Sequence, residues 1–302
     1  MKEEIFFAPR AKNRSAKTKR QEVTLIIDFH THVFPDAIAE RAIKHLYQEA
    51  HGLFDYYSDG TLLGLLDNMD KARVDISVTA PVITKQSQFR PANEFAAGIV
   101  SDRIVSFGCV YPHTCDYKAD IDYVCSLGLK GLKFHAEYQD FIVDDPHMLK
   151  IYDYALSKGL IILHHAGFDP AFSPPFKAPP KAFRVLSDTL KGGVIIAAHL
   201  GGSNDWDNVE KYLVGSNIYF DTSMGFDFYS HEQFLRIVKN HGVEKILFGS
   251  DSPWSDAESE IAHIRALPLE KSELDMILGN NAKKILLDIY GGKCSYNRED
   301  VT

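Results

Sequence analysis

The sequence predicts an α/β protein, a single (β/α)8 barrel of the TIM type, from three observations. Short β-branched runs alternate with longer stretches of helical periodicity from Val23 onward, polar residues stand at the ends of many of those runs, and no glycine-rich phosphate loop follows the first. With 302 residues the chain also suits a fold that needs about 250 residues.

Eight strands are read over 23–29, 75–80, 104–110, 131–135, 160–165, 194–199, 217–222 and 245–250, each an apolar run suited to burial on both faces. Helical periodicity falls between them over 36–49, 92–100, 117–126, 148–157, 181–190, 231–240 and 272–287. Gly128, Gly159 and Gly242 stand where helices end and a left-handed cap is wanted. From the third strand onward the strand ends recur every ~23–34 residues, about one βα unit. An open doubly wound sheet uses the same units but gathers its polar residues at one switch point, whereas here they are spread over many strand ends. The barrel is therefore expected over 23–290, with a basic, disordered arm over 1–22 and a tail over 291–302.

Composition narrows the partners. Hydrophobic residues make up 45% and charged residues 25%, the proportions of a globular protein with a sizeable core. The net charge of −8 disfavours nucleic acid and anionic membranes, which demand excess Lys and Arg. A small-molecule substrate is expected, with no nucleic acid and no membrane. Cys109, Cys115, Cys125 and Cys294 form no C-x-x-C pair, which reads as reduced thiols in a cytoplasmic protein.

The chemistry is expected at the strand ends, since the active site of such a barrel lies on its C-terminal rim. The first strand ends in Asp28-Phe29-His30-Thr31-His32, and period-two alternation turns His30 and His32 to one face, where two imidazoles can grip one ion. The fifth strand offers His164 and His165. Parity alone does not choose, but Ala166-Gly167 places the turn directly after His165 and so sets that residue on the rim, leaving His164 to the helical layer as a hydrogen-bonded structural residue. His199 ends the sixth strand and Asp251 follows the eighth. Five rim groups of metal-ligand type suit a divalent ion that lowers the pKa of a bound water from 15.7 to about 7. His199 is then a general acid or base beside it, and Asp251 a ligand, a proton acceptor or both.

These residues resemble the amidohydrolase superfamily, in particular the amidohydrolase-related branch that includes aminocarboxymuconate-semialdehyde decarboxylase-like enzymes. The resemblance runs through Asp28–His32, Gly131-Leu132-Lys133-Phe134-His135, His165-Ala166-Gly167, His199-Leu200-Gly201-Gly202 and Phe248-Gly249-Ser250-Asp251-Ser252-Pro253. It implies His30, His32, His165 and Asp251 as metal ligands, His199 and Asp251 as catalytic groups, and zinc as the ion, with manganese as the alternative. Superfamily members also carry a carboxylated lysine on the fourth strand that bridges two metals. Lys133 stands two residues below the rim, so one ion is expected. Homo-oligomerisation is an expectation of the resemblance alone.

Around that centre His135 is read as a substrate contact or a structural residue, with Glu137 and Gln139 as weaker candidates. Arg90 is on the correct rim to bind a substrate carboxylate, although a solvated loop arginine is the plainer reading. The aromatic loops 51–61 and 167–176 suit covers over the site. The functional expectation is a metal-dependent hydrolase of a small organic acid, lactone, ester or amide. The alternative is a non-oxidative decarboxylase of a carboxylated aromatic or muconate-like acid. A binding protein without catalysis would have no use for the whole rim constellation.

Overall fold

The computed structural model describes residues 24–226 and 228–289, and the basic arm and the tail lie outside them. Eight parallel strands follow in order among the described residues: β1 (Ile27–Thr31), β2 (Ile76–Thr79), β3 (Ile104–Ser106), β4 (Gly131–Phe134), β5 (Ile161–His164), β6 (Ile195–Ala197), β7 (Tyr219–Asp221) and β8 (Ile246–Leu247). The helices are α1 (Asp36–Glu49), α2 (Leu62–Ala72), α3 (Phe89–Gly98), α4 (Tyr117–Ser126), α5 (Ala136–Gln139), α6 (Pro146–Ser157), α7 (Pro180–Thr189), α8 (Trp206–Asn208), α9 (His231–His241), α10 (Ala257–Ala266), α11 (Lys271–Asp275) and α12 (Asn281–Ile289). None is long and apolar enough to cross a membrane.

β1 to β3 form one parallel ladder and β4 to β8 another, each in sequence order. A few backbone hydrogen bonds join the two at both edges. The Gly108 N–H donates to Gly131 O and the Lys133 N–H to Gly108 O, while the Phe29 N–H donates to Phe248 O and the Asp251 N–H to His30 O. Sequential parallel strands with helical crossovers, joined at both edges, are the (β/α)8 arrangement.

The interior is filled by Ile27, Phe29, Val78, Phe107, Leu163 and Leu247, and the opposite strand faces pack Leu132, Phe134, Ile162 and Phe220 under the helices. α12 contributes Ala282, Ile285 and Leu286 to the interior group. Just before it, Gly279 passes Leu25 so closely that a Cβ would lie 2.2 Å from the Leu25 carbonyl oxygen. This packing closes the N-terminal end of the barrel, leaving the other rim for chemistry.

Four helices add to those read from periodicity, the short α5 and α8 and the longer α2 and α10. α2 starts from Thr61, whose side chain accepts the Gly64 N–H, and α10 from Asp256, which accepts the Ser259 N–H. The helix read over 272–287 divides into α11, a π-helical turn at Met276–Asn280, and α12.

Candidate metal centre

Two departures from regular strand geometry build the site. In β1, Asp28 stands opposite Ser77 but Thr31 stands opposite Thr79, so three residues span what two span on the neighbour. Ile27 and Phe29 already face the interior. Strict alternation would turn His30 outward, and the bulge resets the phase so that His30 and His32 both line the cavity. In β6, Ala198 faces the interior, so His199 would alternate away from it. Instead His199, Leu200 and Gly201 take φ values of 58°, 54° and 87°, a left-handed turn that brings the imidazole round to the cavity. A non-glycine residue in this region costs about 1–2 kcal/mol, a strain that concentrates at functional sites.

Asp251, with φ 64°, reaches in from beyond β8. Its Oδ1 lies 3.3 Å from His30 Nε2 and 3.0 Å from His32 Nε2, and the two Nε2 atoms are 3.2 Å apart. Gly249 makes this approach feasible, since a Cβ there would lie 2.9 Å from His30 Cβ. His165 continues the inward phase of Leu163 and lines the cavity, on the side that the turn at Gly167 indicated. His164 faces the helical layer, boxed by Phe134, Tyr152 and Phe183. Among the described residues neither of its ring nitrogens has a partner, so the hydrogen bond expected for it is not made there.

The hydrogen bonds settle which ring nitrogens carry lone pairs. His30 Nδ1 lies 2.9 Å from Asp221 Oδ2, so Nδ1–H donates and Nε2 presents its lone pair to the cluster. His199 Nδ1 is 3.1 Å from Ser223 O and His165 Nε2 is 3.1 Å from Phe168 O. Carbonyls only accept, so in the neutral rings the lone pairs of His199 Nε2 and His165 Nδ1 face one another at 3.0 Å. Lone pairs at that distance repel unless a proton or a cation lies between them. Asp251 Oδ1, buried beside His30 and His32, accepts no well-aligned hydrogen bond. Ligand atoms about 2.1 Å from a shared first-row metal stand about 3.0–3.4 Å apart, and the spacing of His30, His32 and Asp251 agrees. The residues present fit a divalent metal.

Electrostatics favour the same use. Burial, reinforced by Lys133, pushes His30 down to about 4, and burial pushes His165 and His135 well below the ordinary imidazole range. Neutral rings are what metal ligation requires. Burial alone would raise Asp251, but His30, His32 and His199 outweigh it and hold the carboxyl well below the usual range. Lys133 starts two residues below the rim, yet its flexible stem carries Nζ to 2.7 Å from His30 Nε2. Depth on the strand therefore does not keep this lysine from the centre. Burial lowers its ammonium to about 8 against the pull of Asp251 and Asp221.

His135 stacks on His165 with ring centres 4.1 Å apart and sets its Nε2 3.1 Å from Asp169 Oδ2. His135, His165 and Asp169 form a second group of metal-ligand type beside the first. Gln139 accepts the His135 N–H, and Glu137 accepts the Lys177 N–H, so both serve the backbone. Arg90 corrects the sequence expectation. It is exposed on α3 with its guanidinium 4.4 Å over the Tyr123 ring, and it does not line the cavity. Asp221, Ser223 and Asp169 were not singled out from the sequence. The available signal was Asp221 itself, a lone carboxylate at the end of the apolar run Ile218-Tyr219-Phe220.

His30, His32, Lys133, His135, His165, Asp169, His199 and Asp251 open onto a cavity of about 670 Å³, with Phe54 of loop 51–61 and Phe168 of loop 167–176 among its walls. The amidohydrolase family model matches residues 27–287. The chain belongs to the amidohydrolase family. Its fold is shared with solved structures at low identity. 5-Carboxyvanillate decarboxylase from Novosphingobium aromaticivorans, solved with manganese and 3-methoxy-4-hydroxy-5-nitrobenzoic acid, is 13% identical, with a TM-score of 0.66 over 90% of this chain and 99% of that one. 2,6-Dihydroxybenzoate decarboxylase from Rhizobium is 16% identical, with a TM-score of 0.63 over 88% and 100%. A probable 2-pyrone-4,6-dicarboxylic acid hydrolase from Acinetobacter baumannii is 18% identical, with a TM-score of 0.59 over 88% and 99%. No curated protein sequence matches the chain.

Proposed function

We propose that this amidohydrolase-family protein is a metal-dependent carboxy-lyase that removes carbon dioxide from a carboxylated aromatic acid. The observation that carries the reading is the cavity itself, which opens on the His30, His32 and Asp251 cluster through largely apolar walls. A carboxylate is poorly solvated there, whereas the departing carbon dioxide is neutral, so the environment favours the loss. Similar barrels include two aromatic acid decarboxylases, which supports the same reading.

His30, His32 and Asp251 would hold the ion, zinc or manganese, with His165 as the neighbouring nitrogen donor. The ion would supply positive charge for the substrate carboxylate and an adjacent ring oxygen. Lys133 adds a buried ammonium on the same side. As the ring–carboxylate bond breaks, its electron pair stays on the ring carbon, which must take a proton. His199 is placed to carry that proton, because Nδ1 is committed to the Ser223 carbonyl and Nε2 faces the cavity. Asp251, held ionised, takes no proton in this reading and would remain with His30 and His32 as a donor to the ion.

A second reading, hydrolysis of a small lactone or ester, is favoured by the polar cluster of His135 and Asp169, which can order a water. The test incubates the zinc- or manganese-loaded enzyme with hydroxybenzoates and with small lactones, scoring carbon dioxide apart from acid release. Carbon dioxide from the hydroxybenzoates is expected, lost in His199→Ala with metal retained. Acid release from lactones without carbon dioxide would transfer the assignment to hydrolysis.

A further inference from the structure

The cavity is larger than the polar centre needs. A small hydroxybenzoate occupies a fraction of about 670 Å³, a volume within the ~300–1,000 Å³ of sites that take drug-sized ligands. α1 explains the excess, because it carries two apolar stripes. Ala39 and Ile43 enter the core, while Ile38, Ala42 and Leu46, spaced four apart, line the cavity instead. Phe95 of α3 and Trp254 line it as well. The stripe runs to the surface, where Ile38 is 39% exposed.

Charge is as informative as shape. Among the described residues lining the cavity there is no arginine, and Lys133 is the one lysine. A second carboxylate would find no arginine and no second lysine along this wall, only His45 and neutral polar side chains, so burying it there is costly. One acidic head and an apolar body is the chemistry that this cavity matches.

We infer that the substrate is an aromatic monocarboxylate bearing a long apolar substituent, an alkyl chain that lies along Ile38, Ala42 and Leu46 and points to the surface. The inference rests on the decarboxylase reading for the head group, and on the cavity alone for the tail. The test uses the manganese-loaded full chain and calorimetric titration with 2-hydroxybenzoates carrying methyl, propyl, pentyl or heptyl groups at ring position 4 or 6. In at least one series the dissociation constant should fall about fourfold per added methylene, the ~0.8 kcal/mol expected for a buried CH2. Ala42→Trp, which fills the channel, should flatten that slope and leave 2-hydroxybenzoate itself within about twofold.

A flat series in the wild type, the absence of binding in both series, or a slope that survives in Ala42→Trp would overturn the tail site. Leu46→Asp serves the same comparison if the tryptophan variant does not fold. Carbon dioxide release from the same compounds separates the two ideas. A steep slope without carbon dioxide sinks the carboxy-lyase reading and leaves the channel standing. Carbon dioxide with a flat slope does the reverse.

Discussion

Asp221 and Ser223 act on the imidazoles from behind. Asp221 Oδ2 holds His30 Nδ1–H, Asp221 Oδ1 accepts the His199 N–H, and the Ser223 carbonyl holds His199 Nδ1, so the outward nitrogens are left as lone pairs. His164 is the contrasting histidine, buried in an aromatic box with both nitrogens unpartnered. Burial lowers it to about 3 from its ordinary 6.5. The unfolded chain then binds the proton more readily than the folded one, so this site's stability is fully present above pH 6.5 and is lost as pH falls toward 3. At pH 5 the loss is about 2 kcal/mol. His164→Leu should match or exceed wild-type stability at pH 7 and lose about 2 kcal/mol less between pH 7 and 5 in urea denaturation. Equal pH slopes in the two proteins would contradict this account.

At the scale of elements, the bulge in β1 and the left-handed turn after β6 perform the same task, turning toward the cavity a side chain that a regular strand would face away. The junction of β8 with β1 is closely packed. Gly249 lies against His30 Cβ, and a Cβ there would also meet Asp221 at 3.3 Å. Neither neighbour can retreat without giving up the hydrogen bond between them. Gly249→Ala should therefore weaken metal affinity at least tenfold while the circular dichroism spectrum is kept, as read by competition with a chromophoric chelator. Wild-type affinity in this variant would mean that His30 adapts and that the close approach has no functional consequence.

For the whole molecule, the cluster of His30, His32 and Asp251 would, on the proposed reading, also act as a clasp. His30 lies in the first strand with His32 directly after it, and Asp251 lies beyond the last, so an ion shared by them would tie together the edge at which the two ladders meet by a few hydrogen bonds. Such an ion binds the folded chain and not the unfolded one. At a hundred times its dissociation constant it adds about 2.7 kcal/mol. Manganese or zinc should raise the thermal midpoint by several degrees, and a chelator should reverse the shift. The shift should vanish in His30→Ala. A midpoint indifferent to metal in the wild type would remove the clasp.

The alternation of apolar runs with helical periodicity was enough for the barrel, because buried parallel strands must be apolar on both faces and their crossovers must be amphipathic. The strand-end residues His30, His32, His165, His199 and Asp251 were legible for a related reason: a polar group ending a buried strand is costly unless it is used. Alternation alone, however, does not bring His30 or His199 to the cavity, since Phe29 and Ala198 already hold the inward phase. A bulge and a left-handed turn decide that, and both depend on neighbours far away in the chain. Tertiary structure alone also decided that Lys133 reaches the centre, that Arg90 stacks on Tyr123 outside it, and that Asp221 stands behind His30. The physical reason is common to all three. Local sequence sets which residues leave a strand end and in what order, while where a long or bent side chain finishes depends on the strands that barrel closure places around it.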